Sequence, residues 1–253
     1  MKKNKYPGRF TPHLSQKNFF ISLDGESILR RKKGAGFIGV EGLDGSGQST
    51  QSQLLEKFLI KKGYQVILTK EPTPNSRAGK KIRKILNKKE KISPKKLQEL
   101  FAEDRKEHLK KVIIPALKKG KIVISDRYFF SSFAFGTADG LDLDWLISIN
   151  NQFLIPDITF ILKVSPEVCI ERIKKRGNSR TLFEKKEKLA KVWKIYKNLP
   201  KRFSTFARRK VSYGGSAEAL CEGGKNIRVI DGEKTIKEVF SKIKALLHSK
   251  LNF

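Results

Sequence analysis

The stretch "GLDGSGQST", residues 42–50, has the residue types to grip a phosphate. Gly42, Gly47 and Ser49 fall at the spacing of G-x-x-x-x-G-K-[ST], with Gln48 where that pattern has lysine. A glycine-rich turn between a strand and a helix lets successive backbone N–H groups point at one anion, and the helix N-terminus adds its partial positive charge. Gly42, Asp44, Gly45, Ser46, Gly47, Gln48, Ser49 and Thr50 are therefore the candidate nucleotide-phosphate contacts, and Ser49 is placed to ligate Mg²⁺. The plain alternative is an ordinary strand-to-helix turn.

A second constellation is "SDRY", residues 125–128, at the end of an apolar run. A carboxylate at the carboxyl end of a buried parallel strand orients magnesium through water, which makes Asp126 a metal candidate beside Ser49. Arg127 next to it can meet a phosphate bidentately. Taken alone, the pair also reads as a surface ion pair. Phe101 and Arg105 lie four apart, on one face of a helix, and offer an aromatic face with a donor beside it.

The elements that must position these groups alternate. "FIGVE" (37–41), "YQVILTK" (64–70), "KIVISD" (121–126), "DITFILKV" (157–164) and "NIRVID" (226–231) read as strands. Helices read at 49–63, stopped by Gly63, at 78–86, from the Ser93-Pro94 cap to Gly120, and at 235–249. Strands alternating with helices imply a parallel sheet covered on both faces. Residues 11–36 and about 204–225 are irregular and weakly periodic.

Length permits one sizeable core. There are 55 Lys+Arg against 25 Asp+Glu, a formal charge of +30, which solvated helix faces such as "KKIRKILNKKEKISPKK" (80–96) absorb. The same field attracts polyanions weakly and non-specifically. Two cysteines without C-x-x-C and three scattered histidines indicate neither a disulfide framework nor a thiolate metal site. With no apolar run of the ~20 residues that span a bilayer and no secretory leader, the expectation is a cytoplasmic protein with no membrane partner.

"GLDGSGQSTQ", "TKEPT" (69–73), "LFAEDRKEH" (100–108), "SDRYFFSSFAF" (125–135) and "VIDGEKTIKEV" (229–239) occur in the order found in thymidylate kinases. Over roughly 37–203 and 226–250 the chain resembles that family. The resemblance implies a P-loop α/β kinase fold of three layers, with a five-stranded parallel sheet in the order 2-3-1-4-5 and helices on both faces. It implies one kinase domain over 37–253, after a basic extension at 1–36, with a lid at about 172–184 and an insertion at about 204–225. It implies transfer of the ATP γ-phosphoryl to dTMP, Mg²⁺ as cofactor, and a homodimer.

The resemblance also assigns substrate contacts. Phe101 matches the ring that stacks on thymine, Arg105 the base donor, and Ser132 a base-facing hydroxyl. Asp44 matches the acceptor of the sugar 3′-hydroxyl, while Lys70, Glu71, Arg83 and Arg127 match positions lining the monophosphate and magnesium. Gly136 stands where bacterial members often carry a base-reading Gln. Because Gly45 follows Asp44 where some members have Arg, the chain resembles members with a catalytic lid arginine. Arg172, Arg176 and Arg180 are available, with Arg180 favoured first and Arg176 second.

A loop lysine stabilises charge on the transferring phosphoryl, and a charged hydrogen bond of that kind is worth ~1.5–3 kcal/mol. Its loss costs about 10–100-fold at ~1.4 kcal/mol per decade, whereas a placed arginine supplies ~10³–10⁵. A working enzyme with Gln48 as an N–H donor follows, with Arg127, Arg180, Arg176, Gln48 and Asp126 as its catalytic set. The alternatives are a kinase for another pyrimidine nucleotide or deoxynucleoside, a nucleotide-binding pseudoenzyme, and a basic nucleic-acid-binding protein on the same fold.

Overall fold

The computed structural model describes residues 34–87, 89–177, 182–206 and 226–248. Five strands, β1 (Gly36–Gly42), β2 (Val66–Lys70), β3 (Ile122–Asp126), β4 (Ile158–Lys163) and β5 (Ile227–Asp231), form one sheet in the order β2-β3-β1-β4-β5. Every pairing is parallel. The strand order expected from the resemblance is the one observed.

Period-two alternation divides the strand side chains between two cores. Ile38, Val40, Ile122, Ile124, Ile158, Phe160 and Leu162 face a layer that includes Leu55 and Leu59 of α1 (Gln48–Lys61). Val239 and Ile243 of the C-terminal helix α9 (Ile236–His248) complete that layer. Phe37, Val123 and Ile161 face the opposite, aromatic-rich core. There α5 (Phe129–Ala138) sets Phe130 and Phe133 against Phe203 of α8 (Leu182–Phe206), with ring centroids 5.3 and 5.6 Å apart. Helix α5 is apolar on most sides because it is sandwiched between the sheet and α8.

Local chemistry sets the helix ends. Gly63, at φ 88, follows α1, as its place in the sequence suggests. Ser76 caps α2 (Arg77–Leu86) by accepting from the Gly79 N–H, and Ser93 caps α3 (Pro94–His108) with Pro94 in its first turn. The single long helix expected from 93 to 120 is instead broken into α3, a π turn at Leu109–Ile113 and α4 (Ile114–Lys118). Pro115 has no N–H to give to Lys111, and the wider turn lies where the regular ladder would fail. Two further helices, α6 (Leu143–Asn150) and α7 (Pro166–Lys175), flank β4 in the chain.

The register brings the carboxyl ends of three strands together. Val40 and Lys70 are both paired with Asp126, so the loops leaving β1, β2 and β3 open on one edge of the sheet. In open parallel sheets this edge is where ligands bind.

Candidate active site

The loop from β1 to α1 begins this edge. Gly45 has φ +88, and a Cβ built on it would lie 2.5 Å from the Cys169 carbonyl oxygen of α7. Only glycine fits there, on both backbone and steric grounds. Gly47, at φ 94, starts α1 with no side-chain cap, unlike the Ser and Asp caps of α2, α3 and α6. The first-turn N–H groups of α1 are thus left for an outside acceptor. Gln48 is nearly fully buried at the first helical position, and its Oε1 has no hydrogen-bond partner.

Asp126 closes the loop from the β3 side. Ser49 Oγ donates to its Oδ2 at 2.5 Å, and Lys70 Nζ lies 3.0 Å from the same oxygen and 3.4 Å from Ser49 Oγ. The other carboxylate oxygen, Oδ1, is buried and unpartnered. A serine hydroxyl beside a carboxylate with a spare oxygen is a hard-oxygen donor set suited to a small divalent cation such as Mg²⁺.

Arg127 follows immediately, with φ 74, the one positive φ outside glycine among the described residues. Strain of this kind persists where neighbours over-determine the conformation. Here the Arg127 N–H donates to the Val40 carbonyl at 2.9 Å. Its guanidinium donates to the Gly42 carbonyl at 3.1 Å, to Ser131 Oγ at 2.9 Å and to Asp44 Oδ1 at 2.7 Å, above the Phe135 ring. Burial works against its charge, but the negative potential of Asp44, Tyr196, Glu41 and Asp126 outweighs it and pushes its pKa above the ordinary arginine range. Arg127 is a fixed cation at the mouth of the loop.

On the far side of Asp126 lies a buried polar cluster. Arg105, 1% exposed, donates Nε to Glu71 at 2.9 Å and Nη2 to Ser132 at 3.2 Å, and it bonds Asn150 through Nη1. Its guanidinium also lies over Tyr128 and Phe153. Glu71 is shared with His108 Nδ1 at 3.1 Å, and His108 Nε2 meets Thr69 Oγ1 at 2.7 Å. Phe101 is half-buried one turn away, against Ala78, Ile82 and Leu100. Arg83 reaches the same loop from α2, donating to the Pro72 carbonyl at 2.6 Å, next to a cis Glu71–Pro72 bond.

Gly136 is buried, and a side chain there would start 2.9 Å from Leu146 and 3.3 Å from Gln98. A base-reading side chain at that position would require the tip of Leu146 to move aside. From α7, Arg172 donates to the Ser46 carbonyl at 3.4 Å and to the Gly232 carbonyl at 3.1 Å, bridging the phosphate loop and the turn after β5. Arg176, just past α7, is exposed, and Arg180 lies outside the described residues.

A family model described as "Thymidylate kinase" matches residues 40–211, which carry the loop, the Asp126–Arg127 turn and the Arg105 cluster. The "Probable thymidylate kinase" of Pyrococcus horikoshii is 40% identical over 220 residues, 85% of this chain and 97% of the relative. That of Thermococcus kodakarensis is 43% identical over 223 residues, 85% and 98%. The "Thymidylate kinase" of Caldicellulosiruptor saccharolyticus is 34% identical over 221 residues, 85% and 97%. The chain belongs to the thymidylate kinase family.

Several groups at this thymidylate kinase site were not singled out from the sequence. Asp104, fully buried, accepts from the Thr73 N–H at 2.8 Å and from the Thr73 and Ser76 hydroxyls at 2.5 Å each, pinning the loop after β2 to α3. His108 and Asn150 complete the Arg105 cluster. The signal for Asp104 and His108 was available: with Phe101 and Arg105 they continue the i, i+3, i+4 face of α3. Glu41, next to the loop on β1, and Tyr196 of α8 form a third buried cluster. In sequence Glu41 is one carboxylate in an apolar strand, and nothing local marks its partners.

Proposed function

We propose that this chain transfers the γ-phosphoryl group of ATP to dTMP, giving dTDP and ADP. The observation that carries the reading is Arg127, held by strained backbone and by side-chain contacts to Gly42 and Asp44 of the phosphate loop and to Ser131 of α5. A cation so placed can touch the transferring phosphoryl as charge spreads over its oxygens, and phosphoryl transfer asks mainly for positioning and charge neutralisation. Backbone amides of Gly45 to Thr50 cradle the ATP phosphates, with the Gln48 amide donating to one of their oxygens. Mg²⁺, where bound, supplies charge neutralisation between phosphates, and Ser49 with Asp126 would hold it, Asp126 partly through water.

Acceptor recognition follows from the cluster. Phe101 supplies the ring against thymine, while Arg105 and Ser132 face its polar edge. Asp44 accepts the 3′-hydroxyl, and Lys70, Glu71 and Arg83 order the monophosphate end. Three of the five Arg105 N–H donors are hydrogen-bonded to Glu71, Asn150 and Ser132, and Nη2 also lies 2.7 Å from Glu71 Oε2, which orients the guanidinium before substrate arrives. Arg172 braces the loop from α7, and the catalytic lid arginine is Arg180 or Arg176. The family resemblance supports two copies pairing through helices flanking the sheet. The +30 charge supports weak polyanion binding that salt removes. No described helix is long and apolar enough to cross a membrane, in keeping with a cytoplasmic setting.

A coupled assay of ADP release against a panel of nucleoside monophosphates tests the reading. dTMP is expected to turn over fastest. Faster turnover of UMP or dCMP would overturn the assignment of substrate.

A further inference from the structure

Glu41 is fully buried at the carboxyl end of β1, and among the described residues no lysine or arginine forms an ion pair with it, Arg127 acting on it only from beyond Ser131. Its Oε1 accepts the backbone N–H of Tyr128 at 2.9 Å and of Ser131 at 3.3 Å. Its Oε2 accepts the Ser131 hydroxyl at 2.5 Å and the Tyr196 hydroxyl at 3.1 Å. Ser131 Oγ in turn accepts Arg127 Nη1 at 2.9 Å. A buried carboxylate without a direct cation is costly, and hydrogen bonds must compensate it.

When Glu41 is ionised, the Ser131 hydroxyl donates to Oε2 and its oxygen accepts from Arg127, while the Tyr196 hydroxyl, 3.1 Å from Oε2 and 2.9 Å from Ser131 Oγ, donates to one of the two. The two backbone N–H groups on Oε1 come from the turn that holds Arg127 at φ 74. One carboxylate thus grips the backbone on the C-terminal side of the arginine and, through Ser131, its guanidinium. Through Tyr196 it also grips α8, the helix that follows the arginine-bearing 172–184 segment.

We propose that Glu41 is a positioning residue for Arg127, aiming its guanidinium across the phosphate loop and tying that aim to α8. This rests on the reading of Arg127 as the cation that meets the transferring phosphoryl. A second link in the chemistry follows from charge. Burial pushes the Glu41 carboxyl up to about 7, against the opposing pull of the Ser131 bond, Arg127, the Tyr128 N–H and Tyr196. The titratable and charged groups facing it are Arg127 on the turn and Tyr196 from α8, with Asp44 of the loop beyond Arg127, while Tyr128 meets it only through its backbone N–H. Because its pKa is raised, the ionised form that sets Arg127 is present above about 7 and is lost as pH falls through that value.

The test is kcat against pH, at saturating ATP and dTMP, for wild type and two variants. Wild type is expected to show an acid limb centred near 7. Phosphate monoesters contribute their own limb near pH ~6, and that limb is common to all three proteins. In Glu41→Gln the amide nitrogen brings hydrogens where two hydroxyls need an acceptor. Its kcat is expected to fall about tenfold or more with little change in KM, and the limb near 7 to vanish. Tyr196→Phe removes a donor to the anion, so its limb is expected to move to higher pH. This second variant carries the test if Glu41→Gln does not fold. Wild-type kcat and profile in Glu41→Gln, or an unmoved limb in Tyr196→Phe, would overturn the proposal. Arg127→Ala separates the two readings. Full activity in it would sink the role of Arg127 itself, whereas an inactive Arg127→Ala beside a wild-type Glu41→Gln would sink the positioning role alone.

Discussion

Gly45→Ala is the substitution whose effect can be worked most closely. The backbone there has φ +88, and a left-handed conformation costs a non-glycine residue ~1–2 kcal/mol. The new Cβ would stand 2.5 Å from the Cys169 carbonyl oxygen and 3.1 Å from its Cα and carbonyl carbon. All three are backbone atoms of α7, so no side chain can swing aside, and overpacking of this kind costs a further ~1–3 kcal/mol. The sum, ~2–5 kcal/mol, converts at ~2–4 °C per kcal/mol to a Tm lower by about 4–20 °C. Activity should fall too, since relief of the clash moves Asp44 away from Arg127. Gly63→Ala is the internal control: its φ is also +88, but a Cβ there meets nothing within 4 Å. It should lose only the backbone part, ~1–2 kcal/mol. Thermal unfolding followed by circular dichroism measures both. Equal Tm losses in the two variants would show that α7 does not press on the loop, and the reasoning from the contact would fail. If the contact holds, it also explains why this loop carries no arginine after Asp44: the position has no room for a side chain.

Arg127→Gly and Arg127→Ala should each lower kcat by ~10³-fold or more, yet the glycine variant should be the more stable by ~1 kcal/mol, because it relieves the positive φ. Equal unfolding midpoints would argue against the strain. Glu71→Gln should destabilise by ~3–5 kcal/mol, since it strips a fully buried Arg105 of its carboxylate; a Tm within about 2 °C of wild type would mean that this pair is not closed to water. Gln48→Ala should lose activity with its amide donor, and Gln48→Lys should raise kcat by no more than about tenfold. An unaffected Gln48→Ala would show that the side chain never reaches phosphate, and an inactive wild type rescued by Gln48→Lys would show a pseudoenzyme.

The sheet was legible because each strand is a short apolar run followed by a polar or glycine turn, and alternation with helices leaves few ways to connect them. The phosphate loop and the Asp126–Arg127 pair were legible because their chemistry is local. What the sequence hid is non-local. Spacing placed Arg105 on one helix face with Phe101, and the resemblance implied its base contact, but its partners Glu71, Ser132 and Asn150 stand 34, 27 and 45 residues away. No periodicity links them. Arg172 was one of three arginines near the expected lid, and Arg180 and Arg176 stood ahead of it. Its contact with Ser46 depends on the direction in which α7 leaves β4, which a window of sequence does not encode.

The absent lysine at position 48 is best understood through where the other cations come from. Lys70 extends from the end of β2 to within 3.4 Å of Ser49 Oγ, Arg127 comes from the β3–α5 turn to Asp44, and Arg172 reaches from α7 to the Ser46 carbonyl. Three cationic heads from three elements thus converge on loop residues 44–49, and none of them belongs to the loop. A lysine at position 48 would add a fourth positive charge beside them and beside any Mg²⁺ held by Ser49 and Asp126. Before nucleotide binds, that crowding disfavours the charge, and after it binds the added attraction is shared among cations already engaged. Glutamine keeps an N–H donor at the helix start without entering that competition. At ~1.5–3 kcal/mol for one charged hydrogen bond against ~10³–10⁵ for a placed arginine, the electrostatic weight of the site rests outside the loop. On the proposed reading, the phosphate loop in this chain is chiefly a backbone cradle, and the charge that drives transfer is delivered to it from the strands and helices around it.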